Sequence, residues 1–190
     1  MTSIVRPTLV LFAALTVLTG AFYPLAVTGA ARLAFPDKAA GSLVLRGGKP
    51  VGSSLIGQSF SDPGHFWGRP SATSPMAYNA QASSGSNQGP TNPALADAVK
   101  GRIEALRAAD PGNTAPVPVD LVTASASGLD PDISMAAARY QTARVAKARN
   151  LPVQAVARLV DSSAETPVMG WFGEPRVNVL ALNLALDSVK

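Results

Sequence analysis

Apolar residues are most concentrated near the start of the chain, in a stretch without a single charged side chain. It runs from Pro7 to Ala31, between Arg6 and Arg32, and is 25 residues long. Such a stretch is long enough to cross the roughly 30 Å hydrocarbon core of a bilayer as a helix. The pattern therefore predicts one transmembrane helix at 7–31, preceded by a short tail at 1–6.

Two other interpretations of this stretch remain open: a secretory signal peptide that is removed, and a buried core helix. Gly29, Ala30 and Ala31 could form a small-residue cleavage site, but the apolar part of a signal peptide is usually about 7–15 residues long. Tyr23 and Pro24 are typical of an interfacial anchor and of an irregularity that a membrane helix tolerates. We therefore expect a retained anchor.

The flanking charges do not determine the orientation of this anchor. Lys and Arg favour the cytoplasmic side, but Arg6 and the terminal amine lie at one end, and Arg32 and Lys38 lie at the other. Long domains also cross the membrane largely regardless of their charge. The sequence alone leaves both orientations open.

Short apolar runs and a long polar segment follow the anchor. Residues 32–53 indicate a linker with a first strand at 43–45, and residues 54–60 indicate a second strand. Residues 62–93 lack apolar periodicity and are rich in Pro, Ser, Asn, Gln and Gly, which predicts a long loop. Four large apolar side chains in this segment argue against disorder and favour an ordered loop: Phe66, Trp67, Met76 and Tyr78.

Helical periodicity begins after this loop. Asn92 as the N-cap and Pro93 as the first helical residue predict a helix through Ala109. Its apolar positions recur at helical spacing: Leu95, Val99, Ile103 and Leu106. This spacing predicts a helix with one face turned toward the core.

Two further helices are predicted in the second half of the chain. Asp130 as the N-cap and Pro131 as the first residue predict a helix to about Asn150. Its expected inward positions are Ile133, Ala137, Tyr140, Val145 and Ala148, and its expected basic outer face consists of Arg139, Arg144, Lys147 and Arg149. The next helix is predicted at 152–160, buried through Val153, Val156, Leu159 and Val160.

The end of the chain is predicted to be heavily buried. Residues 166–172 indicate a strand, and the apolar run 177–186 is either a strand followed by a helix or a helix throughout. Strands and helices in mixed order predict an α/β or mixed α+β domain at 54–190, tethered by the single N-terminal transmembrane helix.

Composition excludes several kinds of chemistry. The chain has no cysteine and a single histidine, His65. Disulfides, thiolate nucleophiles, Cys-based metal sites and mechanisms that need two imidazoles are therefore excluded. All 12 acidic residues follow the anchor, whereas two of the 16 basic residues, Arg6 and Arg32, flank it. The rest of the chain therefore has a net charge of about +2, which does not indicate binding to nucleic acid.

No catalytic arrangement is apparent, although two alternatives remain. The first is a hydrolase that uses a serine with His65, but we expect His65 to be a turn residue that packs on an aromatic ring. The second is a nucleotide-binding module, in which a Ser- and Gly-rich loop would offer backbone N–H groups to phosphate. The weak candidates for that loop are Ser84, Gly85, Ser86, Asn87 and Gln88. We expect Asp130 and Asp132 to cap a helix rather than act as an acid–base pair.

A series of short motifs extends along the whole chain. They are Gly57–Phe60, Phe66–Ser71, Tyr78–Asn79, Ser84–Asn87, Asn92–Pro93, Val122–Asp130, Gln141, Arg144–Arg149, Val177–Leu180 and Asn183–Asp187. Each motif is weak alone, but their number and order are highly specific, and together they resemble the KdpC family, the small subunit of the bacterial high-affinity potassium-transporting ATPase. The chain departs from the family pattern at Asp132, where many members have histidine, and at Ser84, where glycine is common.

The resemblance implies a non-catalytic subunit of a potassium pump. Its partners would be the channel-like potassium-binding subunit KdpA, the ATPase subunit KdpB and the small peptide KdpF. Catalytic residues would lie on KdpB, ATP would act only through KdpB, and the complex would transport potassium. The family is also described as a catalytic chaperone that raises the ATP affinity of the ATPase subunit. Its members are also described as anchored in the inner membrane by one N-terminal helix, with the domain on the outer, periplasmic side.

The same motifs supply candidates for contacts with partner subunits. These are Gln58, Phe60, Trp67, Arg69, Pro70, Tyr78, Asn79, Ser127, Gly128, Leu129, Asp130, Gln141, Arg144, Asn178 and Asn183. No residue is expected to be catalytic or to bind a metal ion.

Overall fold

The N-terminal region forms one long apolar helix in the computed structural model, which describes residues 3–167 and 169–189. This helix, α1, spans Val5–Ala34 and has none of its most apolar 18-residue window buried by the rest of the chain. At 1.5 Å per residue its 30 residues are about 45 Å long, more than the thickness of the hydrocarbon core. The expected single apolar helix is confirmed, and the alternative of a buried core helix is wrong.

The middle of α1 contains a wider turn that accommodates a proline. Residues Leu18–Phe22 adopt a π-helix, and the N–H of Tyr23 donates to the carbonyl oxygen of Leu18, five residues earlier. Pro24 has no N–H for the carbonyl of Gly20, and the wider turn changes the hydrogen-bonding pattern just before it. The irregularity expected near Tyr23 and Pro24 is therefore confirmed.

A β-hairpin follows α1. After the short helix α2 (Pro36–Ala39), strands β1 (Leu43–Arg46) and β2 (Lys49–Ser53) pair antiparallel around Gly47 and Gly48, which have φ values of 59° and 77°. The first expected strand is confirmed. The second expected strand, at 54–60, is wrong, because this segment forms single hydrogen bonds with distant parts of the chain instead of a ladder with one neighbouring strand. The N–H of Gly57, for example, donates to the carbonyl of Leu129 at 2.9 Å.

The first helix of the domain, α3, spans Pro93–Ala109 and begins where it was predicted. The side chain of Asn92 accepts a hydrogen bond of 3.0 Å from the N–H of Ala94. Leu106 is buried, whereas Leu95, Val99 and Ile103 are half-buried. The cap and the apolar spacing therefore give the correct helix and its inward face.

The second helix of the domain, α4, begins four residues later than predicted. It spans Met135–Arg149, and Ser134 caps it by accepting from the N–H of Ala137 at 3.0 Å. Asp130 and Pro131 do not start the helix, because residues Asp132–Ser134 form strand β3. Ala148 is exposed rather than buried.

The last elements enclose the core. Helix α5 spans Val153–Ser162, strands β4 and β5 are Ala164–Glu165 and Arg176–Asn178, and helix α6 is Val179–Leu186. The sheet order is β3-β5-β4, with both pairs antiparallel. The strand-then-helix alternative for the end of the chain is therefore correct. The strand expected at 166–172 is wrong for its described residues, which exclude 168, because the chain turns at Met169 and Gly170.

The core lies between α4, α5, α6 and the long loop. Val156 and Val160 of α5 are buried, as expected, whereas Val153 is 46% exposed and the prediction for it is wrong. The loop contributes Phe66, which has no exposed surface. Together with the sheets and helices, this core makes a mixed α+β domain and confirms the predicted fold class.

Substitution of Gly57 by alanine should destabilise the domain by about 1–3 kcal/mol, the usual cost of overpacking. A Cβ at this position would lie 2.3 Å from Cε1 of Tyr78 and 2.6 Å from the carbonyl oxygen of Asp130. The matched control is Gly101→Ala within α3, where a Cβ meets nothing within 4 Å. The control should gain about 0.5–1 kcal/mol from helix propensity.

Thermal unfolding of the purified full-length chain in detergent, followed by circular dichroism, measures both changes. Equal stabilities of the Gly57→Ala and Gly101→Ala variants would contradict the close packing between the segment after β2, the long loop and the chain before β3.

Candidate functional site

Two buried amide side chains hold the long loop against the helices. Asn183 of α6 accepts from the N–H of Phe66 at 2.8 Å and donates to its carbonyl at 3.0 Å. Gln141 of α4 accepts from the N–H of Trp67 at 2.8 Å and donates to its carbonyl at 3.0 Å. Two consecutive loop residues therefore have their backbone groups paired as they would be in a sheet, although no strand is present.

Arg144 is a buried cation that organises the start of the loop. Its guanidinium donates to the carbonyl oxygens of Pro63 and His65 and to Oε1 of Gln141, and its Cζ lies 4.4 Å from the ring centroid of Trp67. Burial lowers the pKa of Arg144 to about 10, although nearby acidic groups including Asp110 favour the charged form. The positive charge is thus solvated mainly by carbonyl oxygens and an aromatic face.

The expected basic outer face of α4 is wrong for two of its four members. Arg144 is only 4% exposed, and Arg149 is half-buried and donates to the carbonyl of Gly64 at 2.6 Å. Arg139 is exposed and pairs with Asp161 at 3.0 Å, and Lys147 is exposed. Helical spacing shows which residues share a face, but it cannot show that a loop covers that face.

Asp187 connects three distant segments just after α6. It pairs with Arg149 of α4 at 2.7 Å and with Arg46 of the hairpin at 2.9 Å, and its Oδ1 lies 3.3 Å from Nε2 of His65. Burial raises the pKa of Asp187, but the hydrogen bonds from Arg149 and Arg46 outweigh it, so the pKa lies below its usual value. Asp187 therefore stabilises the fold as a carboxylate.

His65 has a structural environment. Its ring stacks on that of Phe60 with centroids 5.7 Å apart, as expected, and its Nε2 lies 2.7 Å from Nη2 of Arg149. Among the described residues, no serine hydroxyl bonds to this imidazole. The contacts of His65 therefore give no support to the alternative of a Ser–His hydrolase.

A second cluster joins the loop to the chain before β3. Arg69 pairs with Asp130 at 3.0 Å, and the hydroxyl of Tyr78 donates to the carbonyl of Arg69. Burial is the main cause that raises the pKa of Tyr78 to about 12, and the negative charge of Asp130 raises it further. The positive charge of Arg69 lowers this pKa by a smaller amount. Tyr78 therefore stays protonated and acts as a donor.

Hydroxyl groups complete this cluster. Ser71 donates to the carbonyl of Gly128 at 2.7 Å and accepts from the N–H of Tyr78 at 2.9 Å, and Thr73 accepts from the N–H of Asn79 at 3.0 Å. Gly128 has a φ of 67°, and a Cβ there would lie 2.6 Å from Cγ2 of Thr73. A glycine is needed at this position both for its backbone conformation and for this close approach.

The Ser- and Gly-rich segment lies on the surface. The N–H of Ser84 already donates to the carbonyl of Ser127 at 3.0 Å, and a Cβ on Gly85 would lie 2.9 Å from the carbonyl oxygen of Ala126. Ser86 and Asn87 are exposed and Gln88 is half-buried. A nucleotide-binding role for these residues stays a prediction.

The other candidates also form bonds within the chain. Gln58 donates to the carbonyl of Val51 at 2.7 Å, and Asn178 donates to the carbonyl of Ser54 at 3.0 Å while capping α6. Ser127 accepts from the N–H of Leu129 at 3.1 Å, and Pro70 is half-buried. Gln58 and Asn178 therefore hold separate segments of the domain together, and contacts of all these residues with partner subunits stay a prediction.

Asp132, which departs from the family pattern, lies in β3 beside an arginine that sequence reasoning missed. Its Oδ2 is 2.8 Å from Nε of Arg176, and its Oδ1 accepts from Asn178 at 3.2 Å. Burial nevertheless raises the pKa of Asp132, because it outweighs the lowering effects of Arg176 and Asn178.

Arg46, Arg176 and Asp187 received no individual role from the sequence. One available signal was the spacing of Asn183 and Asp187, which are four residues apart near one face of α6. Arg46 and Arg176 could not be found in this way, because only the tertiary fold brings them to Asp187 and Asp132.

Comparisons with known proteins identify the same family along nearly the whole chain. The family model described as "KdpC: K+-transporting ATPase, c chain" matches residues 5–188. The chain is 73% identical over 190 residues to the potassium-transporting ATPase KdpC subunit of Polaromonas naphthalenivorans (strain CJ2), covering 100% of this chain and 97% of the relative.

Two further relatives bear the same name. The KdpC subunit of Variovorax paradoxus (strain S110) is 72% identical over 188 residues, covering 99% of this chain and 97% of the relative. That of Methylococcus capsulatus (strain ATCC 33009 / NCIMB 11132 / Bath) is 63% identical over 185 residues, covering 97% of each.

Replacement of Asn183 by leucine should destabilise the domain by about 2–4 kcal/mol, because the backbone N–H and carbonyl of Phe66 lose their partners in a buried site. The exposed Gln154 of α5 offers a matched control, and Gln154→Leu should change stability by less than about 0.5 kcal/mol. Chemical unfolding of the full-length chain measures both. A similarly small effect of the two substitutions would show that Asn183 does not hold the loop.

Asp132→Asn and Asp187→Asn should have opposite effects on stability at neutral pH. The pKa of folded Asp132 is raised above 3.8, so its favourable contribution is present below pH 3.8 and is lost as the pH rises through the folded value. Asp132→Asn should therefore stabilise the chain at pH 7. The pKa of folded Asp187 is lowered below 3.8, so its contribution is present above pH 3.8 and is lost as the pH falls through the folded value.

Asp187→Asn should accordingly destabilise the chain at pH 7 and lose this effect in acid. Unfolding midpoints measured from pH 3 to pH 8 test both signs. A stabilising Asp187→Asn or a destabilising Asp132→Asn at pH 7 would contradict the environments assigned to these carboxylates.

Proposed function

Because the chain belongs to the KdpC family of potassium-transporting ATPase subunits, we propose that it is a non-catalytic accessory subunit needed for the assembly and stability of such a pump. The observation that carries this proposal is the extent of the family match, residues 5–188, which includes both α1 and the whole domain. That extent also supports a retained anchor over a removed signal peptide.

The use of the polar side chains in the domain supports a non-catalytic role. Gln141, Asn183 and Arg144 bond to the backbone of the long loop, and His65 lies between Arg149 and Asp187. In this proposal ATP is hydrolysed by the ATPase subunit KdpB, and potassium passes through the channel-like subunit KdpA. KdpF is the third partner, and the chain itself binds neither ATP nor potassium.

In this proposal the anchor lies in the bacterial inner membrane and the domain lies on the outer, periplasmic side, as the resemblance to the family implies. ATP is hydrolysed in the cytoplasm, so a domain on the outer side cannot contact it. A rise in the ATP affinity of KdpB would then be transmitted through the assembled subunits. Such coupling requires two states of the complex that the chain contacts differently.

Removal of residues 1–31 should release the domain from the complex and abolish potassium-stimulated ATPase activity, because the tether and any helix contacts within the membrane are both lost. A second variant keeps the tether but replaces residues 7–31 with an unrelated single-pass helix. Copurification with KdpB and ATPase activity are measured for both. Full ATPase activity of the complex that contains the truncated chain would contradict the proposed role.

The second variant separates a simple tether from a docking element, since restored activity assigns α1 a tethering role only. A reporter enzyme fused after the last residue gives the orientation, because the side on which the reporter is active is the side of the domain. Reporter activity only on the outer side excludes direct contact between the domain and ATP. ATP titration into the full-length chain then distinguishes the accessory subunit from the nucleotide-binding module. Saturable binding by the chain alone would favour the module.

A further inference from the structure

A groove of about 670 Å³ opens beside β3. Its walls come from the turn around Val119, from β3 and from the chain that enters β5. Six charged side chains line it: Arg69, Asp120, Asp130, Asp132, Glu174 and Arg176. Four of them are acidic and two are basic.

The two arginines are already paired within the chain. Arg69 lies 3.0 Å from Asp130, and Arg176 lies 2.8 Å from Asp132 and 3.1 Å from Glu165. Among the described residues, Asp120 and Glu174 have no salt-bridge partner, although Asp120 accepts from the N–H of Ser134 at 2.8 Å. Two carboxylates of the groove are therefore left without a cation.

The groove also has an apolar wall. Val119 is 70% exposed, and prolines 118 and 175 line the groove beside it. Volumes of roughly 300–1,000 Å³ hold groups much larger than a bare ion. The described residues also contain no cluster of three or more His, Cys, Asp or Glu side chains able to hold a metal ion.

Two exposed aromatic residues lie just before Glu174 in the chain. Trp171 and Phe172 are 74% and 68% exposed, and their rings meet edge to face with centroids 5.6 Å apart. Aromatic side chains of this kind are enriched at the centres of protein interfaces and are uncommon as free surface. The segment that supplies Glu174 and Arg176 to the groove thus also carries an apolar anchor.

We propose that this groove docks a segment of another subunit of the pump that carries a lysine or arginine side chain next to an apolar residue. The cation would lie between Asp120 and Glu174, and the apolar residue would pack on Val119. The proposal rests on the proposed function, which supplies a partner subunit beside the domain.

The test uses the whole complex purified in detergent. Asp120→Asn keeps an acceptor for the N–H of Ser134, and Glu174→Lys reverses an exposed charge, so the double variant D120N/E174K should fold like the parent chain. The matched control D97N/E104K makes the same changes at exposed positions of α3. Thermal unfolding of each variant checks the fold.

The groove variant should bind the rest of the complex about tenfold more weakly at low salt, and this difference should shrink at about 0.5 M NaCl, because screening weakens charge pairs. The control should bind like the parent chain. Equal binding of the two variants at low salt would overturn the proposal. If the parent chain itself does not copurify with the ATPase subunit, the proposed function fails, and the groove proposal fails with it.

A photo-crosslinking residue at Val119, with Asp97 as the control position, identifies the occupant. A product with another pump subunit from position 119, absent from position 97, supports the proposal. A product with a second copy of this chain, with lipid only, or with nothing overturns it.

Discussion

The fold depends on the need to satisfy the backbone polar groups of a long loop that is partly buried without regular structure. A buried N–H or carbonyl without a partner costs about 1–3 kcal/mol, and a segment outside a sheet has no ladder to supply partners. Gln141 and Asn183 supply them by pairing with consecutive residues of the loop. Phe66 fills the core with its own backbone held by Asn183 and that of the next residue, Trp67, held by Gln141.

The same constraint explains why the polar residues of this domain have so little freedom to perform chemistry. Arg144 uses its guanidinium on loop carbonyls and on Gln141, and Tyr78 donates to the carbonyl of Arg69. A nucleophile or an acid–base group must be able to reach a substrate and change its protonation state. Groups committed to the loop backbone do neither, and this agrees with membership of a family of transport-ATPase subunits.

The sequence predicted those parts of the fold that local patterns determine. The apolar stretch predicts α1, and Asn92 with Pro93 predicts the start of α3, because a cap and a periodic face are local signals. The start of α4 was missed, because pairing with β5 draws Asp132–Ser134 into a strand. The buried state of Arg144 was missed for a similar reason, since the loop that covers it is about 80 residues away in sequence. The family motifs nevertheless indicated most of the residues that hold the loop, although not what each one does.

The anchor and the loop are joined by a short series of contacts through the hairpin. Just after α1, the hydroxyl of Ser53 donates to the carbonyl of Gly41, which ties β2 to the exit of the helix. The other end of the hairpin is tied to α6 by the pair Arg46–Asp187, and α6 holds the loop through Asn183. These two contacts differ in burial. In the pair of Arg46 and Asp187 the arginine is largely exposed, whereas Asn183, which bonds to the loop, is buried. Because exposed ion pairs contribute little and buried amide hydrogen bonds contribute more, the contact between Arg46 and Asp187 is weaker than the contact between Asn183 and the loop.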